Sequence, residues 1–168
     1  MRDSVTLERI KLLHPRLRDE AYDVYNEICK ALGGVVGCRF THTLRTFAEQ
    51  DALYAQGRTR PGNIVTKAKG GLSLHNYGLA CDFCLLIDKN RDGVYELPSW
   101  DERTDYDGDH KYDWEEVINI FKQYGWECGI DWKFRDAPHC QKSFGYSVRD
   151  LLSLHTKGKV DKNGYVLI

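Results

Sequence analysis

The chain has 168 residues, enough for one sizeable hydrophobic core and short for two domains. Hydrophobic residues make up 42%, charged residues 29%, and the net charge is -1, so no global basic field points to nucleic acid or a membrane surface as partner. No apolar run approaches the 18 residues of a membrane span, and the opening MRDSVTLERIKLLHP lacks the apolar segment of a secretory signal, which predicts synthesis in the cytoplasm.

Residues 15–32, PRLRDEAYDVYNEICKAL, predict a helix with Pro15 at its first position and Leu17, Ala21, Val24 or Tyr25, Ile28 and Leu32 on one stripe. Gly33 and Gly34 stop it. Residues 35–42 alternate as a strand. Thr46 then caps a second helix, TFAEQDALYAQ, with Glu49 three residues on as a capping box and Gly57 at its end. Residues 58–78 form a long, Gly-rich loop whose Arg58, Arg60, Lys67 and Lys69 make a basic rim suited to steering carboxylates, or simply a solvated loop.

In the stretch 79–87, LACDFCLLI, eight of nine residues are apolar and Asp82 is the exception. Alternation along such a strand puts Ala80, Asp82, Cys84 and Leu86 on one face and Leu79, Cys81, Phe83, Leu85 and Ile87 on the other. An ionised carboxylate in this setting needs a positive partner. An acidic, glycine-punctuated stretch follows at 88–109. Residues 112–124 predict a helix with Trp114, Val117, Ile118 and Phe121 inward, and Trp100 and Trp126 are expected in the core as well. Residues 125–141 are expected to be irregular and partly extended, and 147–155 a short helix capped by Ser147. The final YVLI is strand-like. This mixture, without a βαβ rhythm, predicts an α+β fold with a small antiparallel sheet flanked by helices. Cys29, Cys38, Cys81, Cys84, Cys128 and Cys140 all lie in apolar or aromatic contexts and read as small buried hydrophobes in a reducing compartment.

Catalytic zinc sites take three protein ligands and leave one position for water. His75 and Asp82 offer two donors, and His139, in FRDAPHCQ, is the candidate third. Pro138 keeps that segment out of a helix, so Asp136 and His139 can approach a common centre, where a carboxylate can relay the proton of an attacking water. On residue chemistry alone a structural role for these histidines stays open. His14, His42, His110 and His155 read as structural or surface residues.

At these positions SLHNYGLACDF resembles the S-x-H-x-x-G-x-A-x-D signature of the zinc D-alanyl-D-alanine carboxypeptidase and L-alanyl-D-glutamate endopeptidase family of peptidoglycan peptidases. DAPHCQ is similar to its second signature, and LRTFAEQDALYAQGRTRPGNIVTKAKGGLSLHNYGLA reads like the endolysin-type members. The resemblance spans about residues 10–150. It implies a hedgehog/DD-peptidase-like fold and a single peptidase domain over 1–168, with 151–168 as a C-terminal extension packed on the core. It implies Zn2+ held by His75, Asp82 and His139, Asp136 as general base and acid, and Arg45 on a substrate carboxylate or the scissile carbonyl. Ser73 would contact substrate or support its loop, and Trp132 would line the groove. Cys81, Cys128, Cys140 and the sequence CGIDW at 128–132 depart from the usual pattern and put the groove's shape in question.

The acidic stretch has the start of a calcium loop in Asp88, Asn90 and Asp92, with Gly93 next and Glu96 at the ninth position, but Ser99 stands twelfth where a bidentate Glu belongs. A second set, Asp105, Asp107 and Asp109, has Glu116 at the right distance and His110 where glycine is wanted. Ca2+ at the first set is therefore an expectation beside a simple Asx-rich turn. The expected function is hydrolysis of a bacterial peptidoglycan stem peptide, foremost at L-alanyl-D-glutamate, by a monomeric lysis enzyme of phage or prophage type reaching the wall after release. A D,D-carboxypeptidase or dipeptidase and a non-catalytic metal-containing cell-wall binding module are the alternatives.

Overall fold

The computed structural model describes residues 2–168. It opens with a helix the sequence reading did not anticipate, α1 (Ser4–Ile10), capped by Asp3, whose side chain accepts from the Thr6 amide. The predicted 15–32 helix divides into a 3-10 turn at Pro15–Leu17 and α2 (Arg18–Ala31). The split falls at the proline-led first turn, and the expected stripe is buried throughout. β1 (Val36–His42) and α3 (Phe47–Ala55) follow as expected, α3 with the complete Thr46–Glu49 capping box.

β2 (Ala80–Ile87) is the spine of the sheet. It pairs antiparallel with β1 on one side; on the other it pairs with β5 (His139–Gln141) at its start and with the short β3 (Leu97–Ser99) at its end. β4 (Glu127–Cys128) pairs with β5, giving the order β1-β2-β5-β4. Every named pairing is antiparallel, so the expected small antiparallel sheet is present. Leu79, Cys81, Phe83, Leu85 and Ile87 enter the main core, as alternation requires. There Phe83 meets Trp114 of α4 (Asp113–Gln123) at a ring separation of 4.4 Å, and Phe121 packs between Phe40 and Trp126.

Three expectations are corrected. The tail YVLI forms no strand; it makes one isolated bridge, Val160 to Val166, and an anchor in which Val166 is buried and its carbonyl meets the His14 ring. Trp100 is not a core residue: it is 56% exposed. β3 interrupts the acidic stretch, because Leu97–Ser99 can add to the edge of β2 left uncovered beyond β5. α5 (Val148–Thr156) closes the fold under its Ser147 cap, with Leu151 in the core. No helix among the described residues is long and apolar enough to cross a membrane.

Candidate metal centre and its cleft

Asp82 sits between two histidines in the register of three strands: His42 of β1 pairs with it on one side and His139 of β5 on the other. A register irregularity between Phe40 and His42 turns the end of β1 toward the cleft. His75 arrives from a 3-10 turn, Leu74–Tyr77. Ser73 caps that turn by accepting from the His75 amide, and Gly78 ends it at φ +68, where a Cβ would come within 2.7 Å of the His14 nitrogen. The S-x-H-x-x-G spacing is thus the sequence of a capped turn with a left-handed stop. Buried Asn76 locks the turn to its neighbours: its oxygen accepts from the Gly71 and Ser73 amides and its nitrogen donates to the carbonyls of Arg45 and Thr46.

His75 Nε2, His139 Nδ1 and Asp82 Oδ1 converge, with separations of 3.2 Å from His75 to His139, 3.2 Å from His75 to Asp82 and 3.0 Å from His139 to Asp82. The outer nitrogens of the rings fix the tautomers. His75 Nδ1 lies 2.7 Å from the Thr43 carbonyl, which can only accept. His139 Nε2 lies 3.0 Å from Gln141 Oε1, and the Gln141 amide is oriented by donating to Glu127 Oε2 at 2.9 Å. Each ring therefore spends its hydrogen outward and aims a lone pair inward beside a carboxylate oxygen. Three lone pairs at this spacing repel unless a cation lies among them, and ligands about 2.0–2.2 Å from a tetrahedral zinc stand at roughly this mutual distance. The residues fit a metal. Among the described residues, the other groups of His, Cys, Asp and Glu that come close enough to share an ion are all-carboxylate clusters on the acidic stretch and the start of α4.

The electrostatics agree. Burial alone would raise the Asp82 carboxyl, but hydrogen bonds and charge from His139 and His75 outweigh it and hold the group far below the carboxylate range. Burial would lower the His139 imidazolium, and Asp82 with Gln141 more than reverses that, so without a metal a proton is drawn to the same point. The second oxygen of Asp82 faces Arg45 Nη2 at 3.8 Å and His42 Nδ1 at 4.0 Å.

The centre opens on a cleft of about 720 Å³. Arg45, Ser73, Trp132 and Asp136 all line it, so the structure brings every predicted catalytic, metal and substrate residue to one place. Asp136 is exposed, held by its amide to the Gly129 carbonyl. Trp132 is 37% exposed with its ring 5.2 Å from that of His139. Ser73 is engaged chiefly as the turn cap. The basic rim is partly structural: Arg58 donates to the carbonyls of Tyr54 and Thr66, and Lys67 lies 4.0 Å over the Phe134 ring. Asp88, Asn90, Asp92 and Glu96 lie apart from this cleft, and Asp88 with Lys89 and Arg91 borders a different hollow.

Four contributors escaped the sequence reading. His42 and Trp100 line the cleft, and Gln50 and Gln141 orient Arg45 and His139. The capping box around Thr46 placed Gln50 on α3, but only the fold shows that it faces inward.

Fold and donor set together define an α+β protein with an open, cleft-facing His/Asp/His cluster able to hold a metal. The family model described as D-alanyl-D-alanine carboxypeptidase matches residues 66–142, which contain all three donors and Asp136. The peptidoglycan L-alanyl-D-glutamate endopeptidase CwlK of Bacillus subtilis is 51% identical over 102 residues, 60% of this chain, and the match spans 58% of that relative's length. The crystal structure of the Serratia marcescens L-Ala D-Glu endopeptidase ChiX superposes with a TM-score of 0.52 at 21% identity, covering 84% of this chain and 88% of that one, which is a likeness of fold. The likeness to that family is carried by residues 66–142, and the chain spans less than two thirds of the length of the curated relative it matches.

Proposed function

We propose that this chain is a zinc peptidase that hydrolyses a stem-peptide bond of bacterial peptidoglycan, the L-alanyl-D-glutamate bond. The observation that carries the reading is the convergence of three metal-directed lone pairs on an open cleft, with an arginine and a carboxylate on its walls. The choice of bond rests on the name of the Bacillus subtilis relative. The chain acts as one domain and a monomer.

His75, Asp82 and His139 would hold the zinc, which when bound supplies a Lewis acid for the peptide carbonyl and an activated water. Asp136, solvent-exposed at the cleft wall, takes the proton of the attacking water at a carboxylate oxygen and returns it to the leaving amine. Arg45 offers its guanidinium to a stem-peptide carboxylate or to the carbonyl oxygen as charge develops. Trp132 gives the peptide an apolar surface beside His139.

The family model's description favours a second reading, removal of a terminal D-alanine. Digestion of purified cell walls by the zinc-loaded chain, read by mass spectrometry of the muropeptides, separates the two. The endopeptidase releases peptides that begin at D-glutamate, whereas the carboxypeptidase shortens the stem by one alanine. Asp136→Ala is expected to retain one zinc per chain and lose cleavage. Absence of any cleavage by the zinc-loaded chain, or full activity in Asp136→Ala, refutes the proposal and leaves a wall-binding module or a different base.

A further inference from the structure

The twelve residues Asp105–Glu116, DYDGDHKYDWEE, place carboxylates at positions 1, 3, 5, 9 and 12 and run directly into α4. That is the ligand spacing of a helix-flanked calcium loop, in which position 7 supplies a backbone carbonyl and position 12 a bidentate glutamate. The position that normally requires glycine is His110, and its backbone is at φ +73, the left-handed conformation that glycine provides there. Oxygens of Asp105, Asp107 and Asp113 lie within 4.8 Å of one another, as do oxygens of Asp107, Asp109 and Glu116.

A cluster of acids on a surface loop is ordinary, but this one has buried oxygens with nothing to bind. Asp113 is fully buried; Oδ2 accepts from the Tyr106 amide, and Oδ1 has no partner. Glu116 Oε2 is likewise buried and without a partner. A buried, unsatisfied carboxylate oxygen is costly, and two of them beside three more carboxylates are far more so. Burial first, and then the charges of Asp107, Asp105 and Asp109, push the Asp113 carboxyl up to about 6, against the lowering effect of the Tyr106 amide. The lone compensating cation in the loop is Lys111, whose exposed ammonium lies 2.7 Å from Asp109 and 3.7 Å from Glu116, and it does not relieve the buried oxygens.

We propose that Asp105, Asp107, Asp109, Asp113 and Glu116, with the Lys111 carbonyl, form a Ca2+ site separate from the His/Asp/His centre. All these donors are oxygens, which selects a hard cation over zinc. The earlier loop does not compete. Oxygens of Asp88, Asp92 and Glu96 also come within 4.8 Å, but none of these three carboxylates has a buried oxygen left without a partner, and position 12 is Ser99 within β3. Occupancy would order the segment that leads from Trp100 on the cleft wall to α4. That segment is tied by the Glu102–Arg135 ion pair to the residue preceding Asp136.

The test is calorimetric titration of the zinc-loaded full chain with CaCl2, together with thermal unfolding in 0 and 5 mM CaCl2. One Ca2+ per chain is expected, with a Kd between about 10⁻⁶ and 10⁻³ M and a Tm several degrees higher with the ion. Glu116→Gln should weaken binding at least tenfold, and Asp107→Asn, at a half-buried position, should do the same should the first variant fold poorly. Asp92→Asn should bind as the parent does. Absence of both heat and Tm shift at 5 mM Ca2+ overturns the proposal. So does binding that survives in both Glu116→Gln and Asp107→Asn, or that disappears in Asp92→Asn. Each readout is independent of cell-wall cleavage.

Discussion

Gln50 Oε1 accepts from Arg45 Nη1 at 2.9 Å, and this bond holds the guanidinium with its other nitrogen 3.8 Å from Asp82. Gln50 is itself fully buried and donates to the Ala68 carbonyl and the Thr66 hydroxyl, so α3, the long loop and the cleft share one amide. Gln50→Met preserves volume and removes all three bonds. It should lower stability by about 1–3 kcal/mol and reduce cell-wall cleavage roughly tenfold at a temperature where the variant is folded, with zinc content unchanged. Arg45→Lys should lose at least as much activity, since an ammonium cannot keep both the Gln50 and the Asp82 approach. Wild-type activity in Gln50→Met would show that Arg45 needs no tether.

The Gln141 amide directs the His139 tautomer. Gln141→Leu removes the acceptor for Nε2–H, frees the ring to place its hydrogen inward, and should weaken zinc binding by about 10–100-fold. Competition with a chromophoric chelator measures this directly. Glu127→Ala leaves the acceptor in place and removes only what orients it, so its effect should be smaller. Equal zinc affinities across the three proteins would contradict the tautomer assignment.

Gly129 packs against the backbone of the proposed base. A Cβ there would lie 2.4 Å from the Asp136 carbonyl oxygen and 3.1 Å from its Cβ. Gly129→Ala must therefore push the Asp136 turn outward, at a cost of about 1–3 kcal/mol. The expected signature is a large fall in turnover with a smaller fall in zinc affinity: the His139 amide donates to the displaced Asp136 carbonyl, but β5 stays paired with β2 and the ring keeps its Gln141 partner.

Asp3 links α1 to β1, accepting from Thr6 and from both Nε and Nη2 of Arg39. Burial would raise its carboxyl, but Arg39 and the Thr6 bonds outweigh that and lower it. A depressed folded-state pKa gives stability that is present above the unfolded value near 4 and is lost as pH falls through the lower folded value. Asp3→Asn keeps a capping side chain and loses the charge. It should cost about 1 kcal/mol at pH 7, and its Tm should converge on that of the parent as the pH falls below the lowered folded-state pKa of Asp3. A gap that stays constant as the pH falls would assign the loss to the cap geometry instead.

The legible parts of the molecule were those whose chemistry is local. His75, with its serine cap two residues before it at Ser73 and its stop at Gly78, announces a turn. Asp82 stands out as one charge in an apolar strand, and Asp136 and His139 stay together across Pro138. The capping box at Thr46 and the Ser147 cap likewise marked two helix starts. What escaped depends on partners far away in the chain. α1 is a seven-residue helix stabilised by Thr6 and Arg9 reaching β1, which no propensity encodes. His42 became a cleft residue through a register irregularity, and Trp100 through the addition of β3 to a free edge. YVLI has the composition of a strand, but only Val160 pairs with it.

The three inward-facing donors ride on β2, β5 and a capped turn, whereas much of the cleft's outer wall, including residues 65, 66, 68 and 72 and Trp100, lies outside the named strands and helices. The metal-directed donors and the border of the cleft are thereby modular. A chimaera that takes residues 58–72 from a relative of different preference should keep the metal affinity of its parent and alter what the cleft accepts, so specificity on this scaffold can change by swapping borders around an unaltered hub.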